Sequence, residues 1–412
     1  MIQNMLPACL ITFYTALLTI LVNTSYVYAS EKVINQTPKP QNVGGFLIRT
    51  TLNLEQQLTT NLRATDNNVK SDLSTAITPS IAIKKDIRDH EFTIKASSTI
   101  AKHLQTHKED TTDGQMSLSA LLTAKRSLKI PISVSYDKSH VERHKDTSVI
   151  TPTEPIKVQR KYIEGGFIFA PNRLHIGIIG HYSNNRFSNN KSDINTPLIY
   201  KDSDHNNTGI SGKISYNTKG TISPFLEFKT HKAEFLRHTH NGTSFNGAKR
   251  DHNYYSTLAG INIKSNTISG DIAAGYNALE YNNGSLEDLH ALHLAANLSW
   301  QPTENTNLDL SIIRNIAEDN IIKTAYTENT INAELKYQAL HDLSINAGTM
   351  LSNRDYTSGR DDTIYEGRIG ANYTLNTAMQ AHAKITSRKR DSNADDEDYM
   401  QNTLMVGITG SL

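Results

Sequence analysis

The sequence predicts an all-β chain, a closed antiparallel membrane-spanning β-barrel of about 18 strands. Three observations carry that expectation. Apolar and polar residues alternate with period two along segments long enough to cross a bilayer when tilted. The links between these segments are alternately short and long, the rhythm of a barrel with short periplasmic turns and long outer loops. The composition is also too polar for a dry core: of 412 residues 37% are hydrophobic and mean hydropathy is −0.47, yet 18 Tyr and 10 Phe argue against disorder. A barrel reconciles these facts, because its lipid face is apolar while its interior faces water.

Taken in order, the chain opens with an apolar run from Met5 to Val22, and Val27-Tyr28-Ala29 fits a small-residue cleavage site. Residues 1–29 are therefore expected to be a cleaved signal peptide, with the mature chain starting at Ser30, although no Lys or Arg precedes the apolar run. An uncleaved anchor is the rival reading. Cys9 is the only cysteine, so the expected mature chain has none, which excludes thiolate metal sites and cysteine catalysis. Residues 30–44 read as a polar lead-in and 45–412 as the barrel. The 42 Lys+Arg and 41 Asp+Glu nearly cancel, so no nucleic-acid partner is expected.

Within the barrel, Phe46, Ile48, Leu52 and Leu54 share the first apolar face, and Ile77, Ile81 and Ile83 mark the second. Phe92/Ile94, Met116/Leu118 and Ile130/Ile132/Val134 continue the alternation, and a less clear strand runs near Tyr162 to Ala170. Leu174/Ile176/Ile178, Ile210/Ile214, Leu226/Phe228, Ala259/Ile261 and Ile272/Ala274 follow. The signal sharpens at Leu292 to Trp300, Leu308/Leu310/Ile312, Ile331/Leu335, Leu343/Ile345, Tyr365/Ile369 and Ala381/Ile385. The last stretch, Tyr399 to Leu412, alternates up to the chain end, with Met400, Leu404, Val406, Ile408 and Leu412 on one face. A strand of that kind closes a barrel against its first strand. Short links stand at 170–173, 217–220, 264–267 and 375–378; longer polar ones lie around 138–157, 184–205, 231–251 and 353–362.

The opposite phase places a set of charges in the lumen: Lys95, Lys129, Arg173, Lys213, Lys229, Lys336, Arg368, Lys384 and Arg388, against Glu227, Asp309 and Glu366. Basic rings lower the cost of an anion entering, so a mildly anion-preferring aqueous path is one expectation and a lumen neutralised by ion pairs is the other. The outward aromatics Tyr136, Tyr182, Tyr216, Tyr255, Tyr276, Tyr337 and Trp300 read as an interfacial girdle, with few aromatics left facing inward. Asp391, Asp395, Asp396, Glu397 and Asp398 crowd one outer loop without EF-hand spacing. His175, His181, His293 and His382 lack zinc spacing, and G-x-S-x-G is absent, so neither a metal, a cofactor nor an enzyme is expected.

Gly45-Phe46-Leu47, Ser71-Asp72-Leu73 before Thr78-Pro79, and Arg390-Asp391-Ser392-Asn393 with Asp398-Tyr399-Met400-Gln401-Asn402 resemble the β-barrel porin 2 type of Gram-negative outer-membrane protein over 45–412. The chain end is also similar to the signal read by the barrel-assembly machinery, with glycine at Gly407, although Gly410 and Leu412 stand where aromatics are usual. The resemblance implies an outer-membrane barrel in contact with lipid and lipopolysaccharide and fixes no solute. The residues then favour a passive pore for small polar solutes. A plugged barrel with a surface-adhesin or envelope-polysaccharide role is the first alternative, and an outer-membrane hydrolase the second.

Overall fold

The computed structural model describes residues 40–141, 152–192, 197–240 and 246–411. The expected signal peptide and all of the lead-in before residue 40 lie outside them.

The chain forms β1 (Gln41–Val43), β2 (Phe46–Thr59), β3 (Asp72–Ile87), β4 (His90–His103), β5 (Thr111–Lys125), β6 (Leu128–Val141), β7 (Ile156–Phe169) and β8 (Leu174–Phe187). A two-strand ribbon, β9 (Asn190–Lys191) and β10 (Pro197–Leu198), sits in the next link. Then come β11 (His205–Tyr216), β12 (Ile222–Phe235), β13 (His252–Lys264), β14 (Ile268–Tyr281), β15 (Leu289–Thr303) and β16 (Thr306–Asp319). The chain finishes with β17 (Thr324–Gln338), β18 (Leu343–Tyr356), β19 (Asp361–Asn376), β20 (Met379–Ser392) and β21 (Tyr399–Ser411). Strands β2–β8 and β11–β21 pair antiparallel in chain order, and β21 closes on β2 from Thr51↔Ser411 to Thr59↔Thr403. The result is a closed barrel of 18 strands, as the sequence predicts. The closing register leaves the first residues of β2 without a partner on that side. There β1 turns back through Gly44-Gly45, both at positive φ, and pairs Gln41–Val43 with Ile48–Phe46.

Alternation fixes the two faces. Leu52, Leu54, Met116, Leu226, Leu292, Ile369 and Met400 all stand exposed on the outside, as lipid contact requires. Outward tyrosines and the tryptophan cluster in two belts. On β15 they bracket the segment from Leu292, opposite Tyr276, to Trp300. Eight residues of strand rise about 27 Å, or about 20 Å of height at the usual tilt, close to the apolar band of a membrane barrel.

The eight links at the end carrying both chain termini are short, from Arg88-Asp89 to Thr377-Ala378, and the links at the other end are mostly longer. Two expectations are corrected here. Arg173 stands in the 170–173 turn and not on a strand, so it belongs to the periplasmic rim. The link expected around 353–362 is only 357–360, because β18 and β19 extend past the membrane as a polar ladder, with the Tyr356 N–H donating to the Arg360 carbonyl. Polar composition marks the water boundary there, not the end of the strand.

Candidate functional site: the lumen and its outer mouth

Every remaining lumen candidate faces inward. Glu227 lies between Lys213 (3.7 Å) and Lys229, with Lys213 also over the Phe225 ring at 4.0 Å. Lys336 pairs with Asp309 at 2.9 Å, and Arg368 bonds Glu366 (3.1 Å), Glu334 (3.4 Å) and Asn332 (2.6 Å). Lys95 sits level with Ser117 and Ser135 on β5 and β6, and Lys129 faces Thr123. Lys384 and Arg388 lie on β20, level with Met405 and Gln401 of the closing strand. Many of the expected basic groups are therefore matched by carboxylates, which removes much of the surplus an anion preference would need.

Three long polar side chains, Arg368, His382 and His181, lie along the wall. Arg368 reaches from β19 across β18 to β17, and it can do so because Gly348 lies beneath it; a Cβ there would stand 2.6 Å from Nε. His382 crosses β21 over Gly407 to reach Glu55 on β2 at 3.1 Å, and a Cβ at Gly407 would stand 2.5 Å from its Nε2. His181 lies over Gly209 in the same way. Glycine on the middle strand lets a charged group be satisfied two strands away without projecting into the lumen.

Sequence reasoning missed what happens at the outer mouth. The ladder between β15 and β16 stops at Leu294↔Arg314, whereas β16 and β17 stay paired to Asp319↔Thr324. Beyond the split, the β16–β17 hairpin leans into the barrel. Ile316 and Ala325 bury against Leu279 and Ala291 on the inner wall, with Tyr254 and Tyr281 beside them. Glu318 is held by the Tyr281 hydroxyl (3.0 Å) and Arg250 (3.2 Å). Asn277, fully buried on β14, fills the split. With its amide oriented to satisfy both neighbours, Nδ2 donates to the Ala291 carbonyl (3.0 Å) and Oδ1 accepts from the Ile316 N–H (3.1 Å).

The hairpin tip then crosses the mouth. Ile321 packs on a cluster of Ile156, Val158, Phe187 and Tyr200 on the far side, at β7, β8 and the link after it. Lys323 Nζ meets Asp202 at 2.6 Å, and the Ser203 hydroxyl donates to the Asn320 carbonyl at 2.5 Å. Arg250 Nη2 donates to Ser203 Oγ at 3.0 Å, joining the same bridge to the start of β13. Burial pushes the Tyr200 hydroxyl up to about 12, and the Asp202 carboxylate adds to the shift, so it stays a neutral packing group.

The sector behind this bridge is rich in rings, against the expectation of few inward aromatics: Tyr162 stacks near His181 (6.1 Å), His231 on Tyr254 (4.8 Å), and His205 on Phe235 (5.0 Å). The signal for the bridge was present in Ile316, Ile321 and Ile322, apolar residues beyond the membrane boundary, where a free loop would be polar.

Chemistry is sparse. Ser256 Oγ lies 2.8 Å from His293 Nδ1, but both are buried, and among the described residues no carboxylate bonds His293 to orient it. Among the described residues no group of three potential ligands could hold a metal ion. In the acidic loop, Glu397 is bound by Arg360 and Arg390, and Asp391 by Lys389.

A family model, "Putative beta-barrel porin 2", matches residues 37–412. The chain belongs to that porin family. Its place is the outer membrane. Among solved structures, it is similar to the copper transporter OprC, at 9% identity over 91% of this chain and 82% of that one, with a TM-score of 0.52. The ferric citrate transporter FecA in its unliganded form aligns at 10% identity over 91% and 79%, with a TM-score of 0.50. At such identity the likeness is one of fold alone. No curated protein matches the sequence.

Proposed function

We propose that this porin-family barrel is a passive pore for small polar solutes, with its outer mouth narrowed by its own β16–β17 hairpin. The observation that carries the reading is the flat lie of Arg368 and His382 along the wall, which supports a lumen whose middle is left to water. Eighteen strands enclose more space than inward side chains can fill. The path runs along the wall from β18 through the β21/β2 seam to β6. There the inner face offers Thr51, Ser80, Ser97, Thr99, Ser117 and Ser135 beside the charged rows of β19 and β20. Among the described residues the bridge runs from β16–β17 to β7–β8, so it screens the ring-lined sector and leaves this hydroxyl-lined one.

The same bridge favours a second reading, a barrel closed by its loops that serves at the cell surface. Planar-bilayer recording of the refolded mature chain separates the two. Stable ohmic steps support the pore; silence from a folded barrel refutes it.

A further inference from the structure

The inner wall from β18 to β20, with the link between β18 and β19, carries its arginines in ion pairs, with one exception. Arg354 meets Glu328 at 3.0 Å, Arg360 meets Asp362 at 2.7 Å, Arg368 meets Glu366 at 3.1 Å, and Arg390 meets Glu397 at 2.6 Å. Arg388, on the inward phase of β20, is only 4% exposed and its Nε is buried without an acceptor. Among the described residues it makes no hydrogen bond or ion pair. A guanidinium withdrawn from water with no acceptor is destabilising, so its presence asks for a partner that arrives from outside.

The groups around it do not supply one. Glu366 stands in register with Arg388 on β19, but its ion pair is with Arg368. The links 60–71 and 393–398 flank β21 at this end of the barrel. They contain Asp66, Asp395, Asp396, Glu397 and Asp398, and none of these pairs with Arg388. On its other side Arg388 is in register with Gln401 of β21. The Gln401 Nε2 donates to the Asn61 carbonyl at 2.7 Å, which fixes the amide, and Oε1 is buried without a donor. An unmet charged donor thus stands beside an unmet neutral acceptor, on adjacent strands about 4.8 Å apart. Both belong to the sector that the bridge leaves uncovered, where β20 and the β21/β2 seam border the path.

We propose that Arg388 and Gln401 form a binding site for a small hydroxycarboxylate passing through the pore. The planar guanidinium takes the carboxylate as a charge-assisted pair, and Gln401 Oε1 accepts from the hydroxyl on the neighbouring carbon. An uncharged acceptor suits a hydroxyl, which leaves the solute's one charge for the arginine. The solute's route to the site rests on the pore reading; the site itself rests on the two unmet groups.

The test uses the full mature barrel in detergent micelles, with lactate binding followed by ligand-observed NMR and stability by the urea midpoint. Wild type should bind lactate roughly 3- to 10-fold more tightly than propionate, which lacks the hydroxyl. R388M should weaken lactate binding roughly 10-fold or more, and Q401L should bring lactate down to the level of propionate. Without ligand, R388M should unfold at the same urea concentration as wild type or a higher one, because it removes an uncompensated buried charge. A lower midpoint would make Arg388 a structural partner of Glu366 or Gln401 and overturn the proposal. Equal lactate binding by wild type and R388M, or equal binding of lactate and propionate by wild type, overturns it as well. Planar-bilayer recording keeps the two readings apart: a barrel that binds lactate through Arg388 yet passes no current retains the site and refutes the pore.

Discussion

The Lys323–Asp202 contact is one of the links that hold the hairpin tip across the mouth, and removing it tests that architecture directly. Asp202 is fully buried; its Oδ2 accepts from the Lys323 ammonium at 2.6 Å and from the His240 N–H at 2.8 Å. Lys323→Ala leaves that carboxylate buried with one backbone donor. Breaking a buried pair from one side costs about 3–5 kcal/mol; because Lys323 keeps a fifth of its side chain exposed, the figure here is roughly 2–3 kcal/mol. That shifts the balance between docked and undocked hairpin by roughly 30- to 150-fold. In single-channel recordings the variant should show added open-state noise and a raised mean conductance. The reverse perturbation is S203C/N320C joined by a short bis-maleimide, a clean reaction because the only native cysteine is Cys9, in the expected leader. The cross-linked barrel should conduct less and more quietly. If both barrels conduct as wild type does, the hairpin does not narrow the path and the reasoning fails.

Three further perturbations follow from the lumen geometry. Glu227→Gln leaves Lys213 and Lys229 without their shared carboxylate, and the reversal potential in a salt gradient should move towards anion preference, whereas an unmoved potential means these groups lie off the ion path. Gly348→Ala places a Cβ 2.6 Å from Arg368 Nε, which should lift the guanidinium off the wall and lower conductance without unfolding the barrel; a conductance equal to wild type would show that the arginine does not border the path. Asn277→Leu removes both amide links across the β15–β16 split and leaves two buried backbone groups unsatisfied. At about 1–3 kcal/mol each, the urea midpoint should fall, and an unchanged midpoint would mean water replaces the amide.

Much of the wall was legible in the sequence. Period-two alternation from Phe46 to Ser411 fixed which residues meet lipid, because an error of one residue would have turned every leucine inward. Strand number followed from the same pattern. Arg173 was misplaced because alternation extends formally into a turn, where it no longer has meaning. Of the bridge only a hint was legible, the apolar Ile316, Ile321 and Ile322 past the membrane boundary; its inward direction was not, since Ile316 keeps the outward phase of Leu308, Leu310 and Ile312, and only the bending of the hairpin turns that face onto the inner wall. The flat lie of Arg368 and His382 was also hidden. It depends on which glycine of one strand falls beside which long side chain of the next, a matter of register between strands and not of either strand alone.

A barrel of this width has few ways to narrow itself. Side chains from 18 strands do not reach across the lumen, so backbone must enter it, and each N–H and C=O that enters needs a partner. A hairpin meets that demand best, because its ladder travels with it: the pairs from Arg314↔Asn329 to Asp319↔Thr324 remain intact after β16 leaves β15. The exposed edges are then the only groups left to satisfy. Asn277 supplies a donor to the β15 edge at Ala291 and an acceptor to the β16 edge at Ile316, and Ser203 gives its hydroxyl to the tip at Asn320. The apolar cluster of Leu279, Ala291, Ile316 and Ala325 follows from the same move, since two strand faces pressed together exclude water whichever side of the barrel they lie on. An apolar patch facing into a porin lumen is therefore the footprint of the segment docked there, and here that segment is the chain's own hairpin.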